Sequence, residues 1–178
     1  MKCTDLLIQD HKVILRALDV LDHMADRIQN DQPVEVEDVQ TLLRFLRAFA
    51  DNHHQVKEES ALFPEMRQTS AANEAPLRQM MFEHDQERSL VEGLEDALFT
   101  KRGMEFVQFV RRLTPLVRTH IHKEETILFP IADHSFSAEQ DARATIELNR
   151  FKIESGYLTD LRRLEWAYLS HSACCGIA

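Results

Sequence analysis

His54-Gln55-Val56-Lys57-Glu58-Glu59-Ser60-Ala61-Leu62-Phe63-Pro64 returns 66 residues later as His120-Ile121-His122-Lys123-Glu124-Glu125-Thr126-Ile127-Leu128-Phe129-Pro130. His, Lys, Glu, Glu, Leu, Phe and Pro coincide, seven of the eleven positions. Each copy continues a run of apolar residues at helical spacing: Leu42, Leu43, Leu46 and Phe49 before the first, Phe106, Phe109, Val110, Leu113 and Val117 before the second. Each is also preceded by another amphipathic stretch that carries an acid followed by a histidine, Asp10-His11 and Glu83-His84. The simplest description is a duplicated helical hairpin.

Working outward, Thr4 and Asp5 form an N-cap and first-turn acid for a first helix, which should stop near Asn30 to Pro33. A second helix begins around Val34 to Asp38 and runs past His54 and Glu58 to Leu62, with Pro64 expected to end or kink it. Thr69 to Ala75 is small and polar, hence a loop, and Pro76 suits the first turn of a third helix that reaches Leu98. Gly103 lies in the next break, and a fourth helix runs to Leu128 with Pro115 bending it. Ser137-Ala138-Glu139-Gln140 has the form of a capping box that opens a fifth segment to about His171, in which Gly156 is a weak point. Short connections make neighbours antiparallel. The expectation is all-α: an up-down-up-down four-helix bundle over residues 1–136, with an additional C-terminal helical segment, 137–178, packed on it.

Composition supports this. A chain of 178 residues fits one domain, and 44% hydrophobic with 29% charged residues is an ordinary globular balance. Four Gly and five Pro leave little turn chemistry for a many-stranded sheet. The net charge of −9 disfavours nucleic acid and anionic membrane surfaces as partners. No apolar run approaches the roughly twenty residues of a membrane span, and the start lacks a signal core, so a cytoplasmic location is expected. Cys174 and Cys175 are adjacent and Cys3 is distant, which excludes a disulfide framework and suggests reduced thiols.

Residues four apart share a helix face, so His54 points with Glu58 and His120 with Glu124, in each case on the apolar face. A lone carboxylate buried among leucines costs several kcal/mol. Two such carboxylates, each one turn from a His, with His11 and His84 on facing helices, call for a compensating positive centre. A pair of metal ions answers: each ion takes two imidazoles, and Glu58 and Glu124 bridge both. Imidazole and carboxylate without thiolate suit iron, and manganese or zinc could also occupy the set. Coordination positions left open would admit a small molecule.

The remaining candidates read differently. His53 and His122 turn away from that face, and His23, His134 and His171 are surface or helix-end residues. Glu59 and Glu125 belong to the flanking face, with Glu125 close enough to contest the metal with Glu124. Glu83 and Glu87 could supply an extra oxygen ligand or a proton relay. Met80 and Met81 read as core.

With these residues in view, the chain resembles the hemerythrin-like HHE cation-binding family over about residues 4 to 133. The resemblance implies a four-helix bundle with a non-haem centre of two iron ions (Fe2+/Fe3+), bridged by two carboxylates and an oxo or hydroxo group. By position the family's ligands fall on His11, His54, Glu58, His84, His120 and Glu124. Oxygen-carrying hemerythrins have a second His one turn after the third-helix ligand, where Arg88 stands, and an Asp five residues after the last His, where this chain has Glu125. The four-His, two-Glu set is closer to the bacterial HHE proteins and to the repair-of-iron-centres proteins that respond to nitric oxide.

Together these readings give a non-haem di-iron protein that binds or reacts with dioxygen, peroxide or nitric oxide. The alternative is an iron or oxygen sensor, or a metal-storage protein without turnover. In a sensor, the segment Ser137 to His171 would offer its surface to a second copy or a protein partner, although amphipathic stripes of this kind are mostly packing surface.

Overall fold

The structure, a computed structural model, describes residues 2–170, so His171, Cys174 and Cys175 lie outside the described residues. Every regular element among the described residues is helical. Helix α1 spans Cys3–Gln29, and its first free N–H groups are met by Asp5, whose Oδ2 accepts from the Lys2 backbone at 2.7 Å. Thr4, expected as the cap, instead lies inside the helix and donates its hydroxyl to Asp133 at 2.7 Å.

The second leg is one continuous rod. α2 (Val36–Phe45) passes through π-helical turns at Leu46–Gln55 and Glu58–Leu62 into α3 (Phe63–Thr69). The fourth leg repeats the device: α5 (Gly103–Lys123) passes through a π-helical turn at Glu124–Leu128 into α6 (Phe129–Ser135). Pro64 and Pro130 explain the coincidence. A proline has no N–H to give to the carbonyl four residues back, and its ring collides with that carbonyl. The chain answers by widening the preceding turn rather than stopping, so of the two expectations for Pro64, ending or kinking the helix, the structure shows a local distortion in a rod that runs on to Thr69. Pro115 likewise lies within α5.

Between these legs runs α4 (Glu74–Phe99). α5 packs against both α4 and α1, and the second leg also touches both, so α1 and α4 sit at opposite corners of a square bundle. Leu18, Leu21, Met24, Phe45, Leu94 and Phe106 fill one end of its interior; Leu62, Phe63, Met66, Leu77 and Phe129 fill the other. Met80 is buried there, but Met81, expected in the core, is 37% exposed because it falls one residue round the helix.

The fifth segment is two helices, α7 (Ala138–Leu148) and α8 (Ser155–Leu169), parted at 149–154 rather than at Gly156, which falls in the first turn of α8. The capping box is present: Ser137 Oγ accepts from the Gln140 backbone at 3.2 Å and Gln140 Oε1 accepts from Ser137 at 3.0 Å. α7 covers one end of α1 with Ala144 and Leu148. α8 covers α1 and α2 with Leu161, Leu164 and Tyr168, the tyrosine hydroxyl donating to Asp38 at 2.9 Å. No helix among the described residues is long and apolar enough to cross a membrane.

α1 and α4 both end in a left-handed residue, Asp31 (φ 53°) and Lys101 (φ 58°), followed by a bond back to the last turn: Gln32 N–H to Arg27 at 2.8 Å and Arg102 N–H to Ala97 at 2.9 Å. The break before α5 thus turns on Lys101, while Gly103 begins the helix. A side chain in that conformation costs about 1–2 kcal/mol, partly offset by the entropy a glycine would lose. Lys101→Gly should therefore gain up to about 1 kcal/mol and raise the Tm by about 2–4 °C, measured by thermal unfolding of the metal-free protein.

Candidate metal centre

The four legs carry His11, His54, His84 and His120 to one level of the bundle, where every Nε2 points inward. His11 and His54 meet at 3.1 Å between their Nε2 atoms, and His84 and His120 at 3.1 Å. Glu124 reaches both pairs, with Oε2 3.2 Å from His11 and Oε1 3.1 Å from His120. Glu58 does the same, with Oε1 3.6 Å from His54 and Oε2 3.4 Å from His84. The result is two groups of donor atoms, each within 4.8 Å: His11, His54, Glu58, Glu124 and Glu58, His84, His120, Glu124. All six residues are buried, and the two glutamates belong to both groups.

The outward ring nitrogens are held by a second set of acids. His11 Nδ1 donates to Glu125 at 2.8 Å, His84 Nδ1 to Glu59 at 2.7 Å and His120 Nδ1 to Glu83 at 2.9 Å. His54 Nδ1 faces Asp10 at the longer distance of 3.6 Å. An ionised carboxylate only accepts, so in the neutral form that binds metal the proton of His84 and of His120 belongs on Nδ1. Their Nε2 atoms then face each other at 3.1 Å with lone pairs, and both oxygens of Glu58 and of Glu124 lie buried with no hydrogen-bond donor. A cation in each group would satisfy ring nitrogens and carboxylates together, so the donor set fits a pair of metal ions.

The electrostatics of the metal-free cluster carry the same strain. Burial alone would depress His84 and His120, but the facing carboxylates outweigh it: Glu58 and Glu59 push His84 up to about 9, and Glu124 leads in pushing His120 up to about 10. Burial would raise the Glu124 carboxyl, yet His120 and His11 hold it well below the usual carboxylate range. A cluster that clings to protons in this way is poised to exchange them for metal.

Every repeated residue now has a task. Lys57 donates to Asp10 at 2.7 Å, and Lys123 pairs with Glu83 in the equivalent place. Glu59 and Glu125 hold the histidines of α4 and α1. Phe63 stacks on His84 with centroids 6.0 Å apart, and Phe129 stacks on His11 at 5.4 Å. Arg88 reaches Asp51 at 2.7 Å and Glu59 at 2.8 Å, so it braces the acid that holds His84.

The flanking acids resolve by geometry. Glu125 has a side chain 37% exposed and bonds the outer nitrogen of His11, whereas Glu124 is wholly buried between the pairs. Glu83 accepts from His120 and Lys123 and is no inward oxygen donor. Glu87 is buried beside the cluster, bonded by Gln55 Nε2 at 2.7 Å, and burial pushes its carboxyl up to about 7. His53 is buried against Phe49 outside both groups, with burial and Lys57 pushing it down to about 4. His122 and His134 are exposed and His23 is half-buried. Sequence reasoning missed the acids on Nδ1; the doubled Glu-Glu in each repeat was the signal for two of them.

Among known proteins, the family model of the hemerythrin HHE cation-binding domain matches residues 3–132. No curated protein and no solved structure matches the chain.

Separate Glu124→Gln and Glu125→Gln substitutions discriminate the two acids. Glu124→Gln should lose metal, measured as ions per chain, because it removes a charge shared by both groups. Glu125→Gln should retain both ions with affinity weakened about tenfold, since an outer acid orients its histidine without touching the ion. Equal retention by both variants contradicts this assignment.

Proposed function

The chain belongs to the hemerythrin HHE cation-binding family, and from that membership we propose that it holds two iron ions between its histidine pairs and binds or reacts with a small ligand there. Dioxygen, peroxide and nitric oxide are the ligands in view. The observation that carries this reading is the sharing of Glu58 and Glu124 by both donor groups, each carboxylate having one oxygen toward each pair. His11 and His54 would hold one ion, His84 and His120 the other. Two imidazoles and an oxygen from each of Glu58 and Glu124 would give an iron ion four protein ligands, fewer than the six iron accepts, so a small ligand would find room there.

Bound iron would supply one-electron chemistry and a Lewis-acidic vacant position. The protein's part is orientation and exclusion. Glu59, Glu83 and Glu125 fix three rings through Nδ1 and make their inner nitrogens better donors. Phe63 and Phe129, both buried, close the two histidines of α1 and α4 against water.

Of the segment 137–178, we assign the described part, residues 137–170, as cover for the bundle, supported by the burial of Ala144, Leu148, Leu161 and Leu164. We place the chain in the cytoplasm; Cys3, buried and without a disulfide among the described residues, fits a reducing compartment.

Protein purified without oxygen should carry iron and show little visible absorption, then develop near-ultraviolet bands on exposure to air. Addition of nitric oxide to the reduced form should likewise change the spectrum. A full load of zinc or manganese with no spectral response to air, peroxide or nitric oxide contradicts the reactive reading and favours storage or a structural site.

A further inference from the structure

The duplication makes the ligand shell nearly two-fold symmetric, and one departure from the symmetry lies beside the histidine pairs. Position 55 in the first repeat is Gln and its counterpart at 121 is Ile; three residues after His84 stands Glu87, and three after His11 stands Ile14. These four residues line one cavity together with His54 and His120. It holds about 10 Å³ of room for the centre of a water-sized molecule, near the roughly 10–15 Å³ that one water needs. A second cavity of about 30 Å³ shares Ile14, Ala50, Gln55, Glu87 and Val117 with it and is lined outward by Arg47, Asp51 and Arg88, so a ligand of two oxygen atoms finds its room across the two cavities and not in the inner one alone. One wall of the inner cavity is therefore polar and the opposite wall aliphatic.

The polar wall is incomplete. Gln55 Nε2 donates to Glu87 Oε2, but Gln55 Oε1 and Glu87 Oε1 are buried with no donor. With Glu87 ionised, as it is above about pH 7, both are acceptor oxygens lining one cavity with a histidine from each pair. A buried acceptor without a donor is destabilising, and a ligand that supplies an O–H removes that cost. A site built to hydrogen-bond its ligand rejects an analogue that cannot.

We propose that Gln55 and Glu87 form a recognition wall for a ligand that donates a hydrogen bond, of the class of hydrogen peroxide, beside the metal pair. This rests on the di-iron reading and adds the choice of ligand to it. Peroxide carries protons for the two waiting oxygens; nitric oxide carries none and gains nothing from the wall. Dioxygen, also without a proton, is disfavoured as the ligand that the wall selects.

The test uses the iron-loaded full chain with Glu87→Leu, Glu87→Gln and Gln55→Leu. Metal content is measured first, then the apparent affinity of the reduced protein for hydrogen peroxide by stopped-flow absorption, and nitric oxide binding by its spectrum. Glu87→Leu should keep its iron, unfold no lower in temperature when metal-free, bind peroxide at least tenfold more weakly and bind nitric oxide within twofold of wild type. Glu87→Gln, which retains a side-chain oxygen, should stay within about threefold for peroxide. Wild-type peroxide affinity in Glu87→Leu with full iron overturns the proposal and makes the cavity a water site. Equal weakening for both ligands also overturns it, as a general blockage. Should Glu87→Leu fail to fold or to hold iron, Gln55→Leu decides: a several-fold loss for peroxide alone supports the wall, and no loss overturns it. Wild-type protein that takes up no iron fails the di-iron reading itself, and the proposal with it; iron-replete wild type with indifferent variants fails only the wall.

Discussion

Two carboxylates, Glu58 and Glu124, lie at the centre of a helical bundle with all four oxygens buried and no hydrogen-bond donor for any of them. Ionised groups in such surroundings are tolerated only when paired or bound to metal. The facing Nε2 atoms of His84 and His120, both with Nδ1 committed to an acid, add a second unsatisfied demand at the same point. Much of the surrounding polar structure follows from meeting these demands. Lys57, Lys123 and Arg88 are the cations that keep the outer ring of acids from repelling one another, and each is bonded to one of those acids.

The duplication explains how one chain builds so demanding a centre. Each eleven-residue segment delivers an inward histidine, a shared glutamate, an acid for a histidine on a neighbouring leg, a stacking phenylalanine, and a proline that widens the turn before it. Because α1 and α4 occupy opposite corners, Glu59 serves His84 while Glu125 serves His11, and the two halves depend on each other. The departures from symmetry are as informative as the symmetry. One of them sets Gln55 and Glu87 against Ile121 and Ile14 in the cavity that His54 and His120 also line.

The helical legs and the inward-facing set were legible because a period of 3.6 residues and a spacing of four speak directly about one face of one helix. His54 with Glu58 and His120 with Glu124 are of this kind, and the structure brings them together with His11 and His84. What was illegible depends on contacts between legs. That Glu125 turns to His11 while Glu124 turns inward depends on where α1 lies. That Pro64 leaves the helix running depends on a backbone adjustment that residue preferences do not encode. The break in the C-terminal segment at 149–154 was hidden because an amphipathic pattern continues on both sides of it. Thr4 resembled a cap, but Asp5 reaching back to Lys2 starts the helix two residues earlier.

The most direct measurement is the number of metal ions per folded chain, by native mass spectrometry of protein reconstituted with ferrous iron. Two ions per chain, with the singly loaded species scarce at every ratio because Glu58 and Glu124 serve both positions, is the result this account predicts. A single ion at saturation, or a folded chain that binds none, would contradict it, since the buried carboxylates and histidines would then be satisfying one another with protons alone.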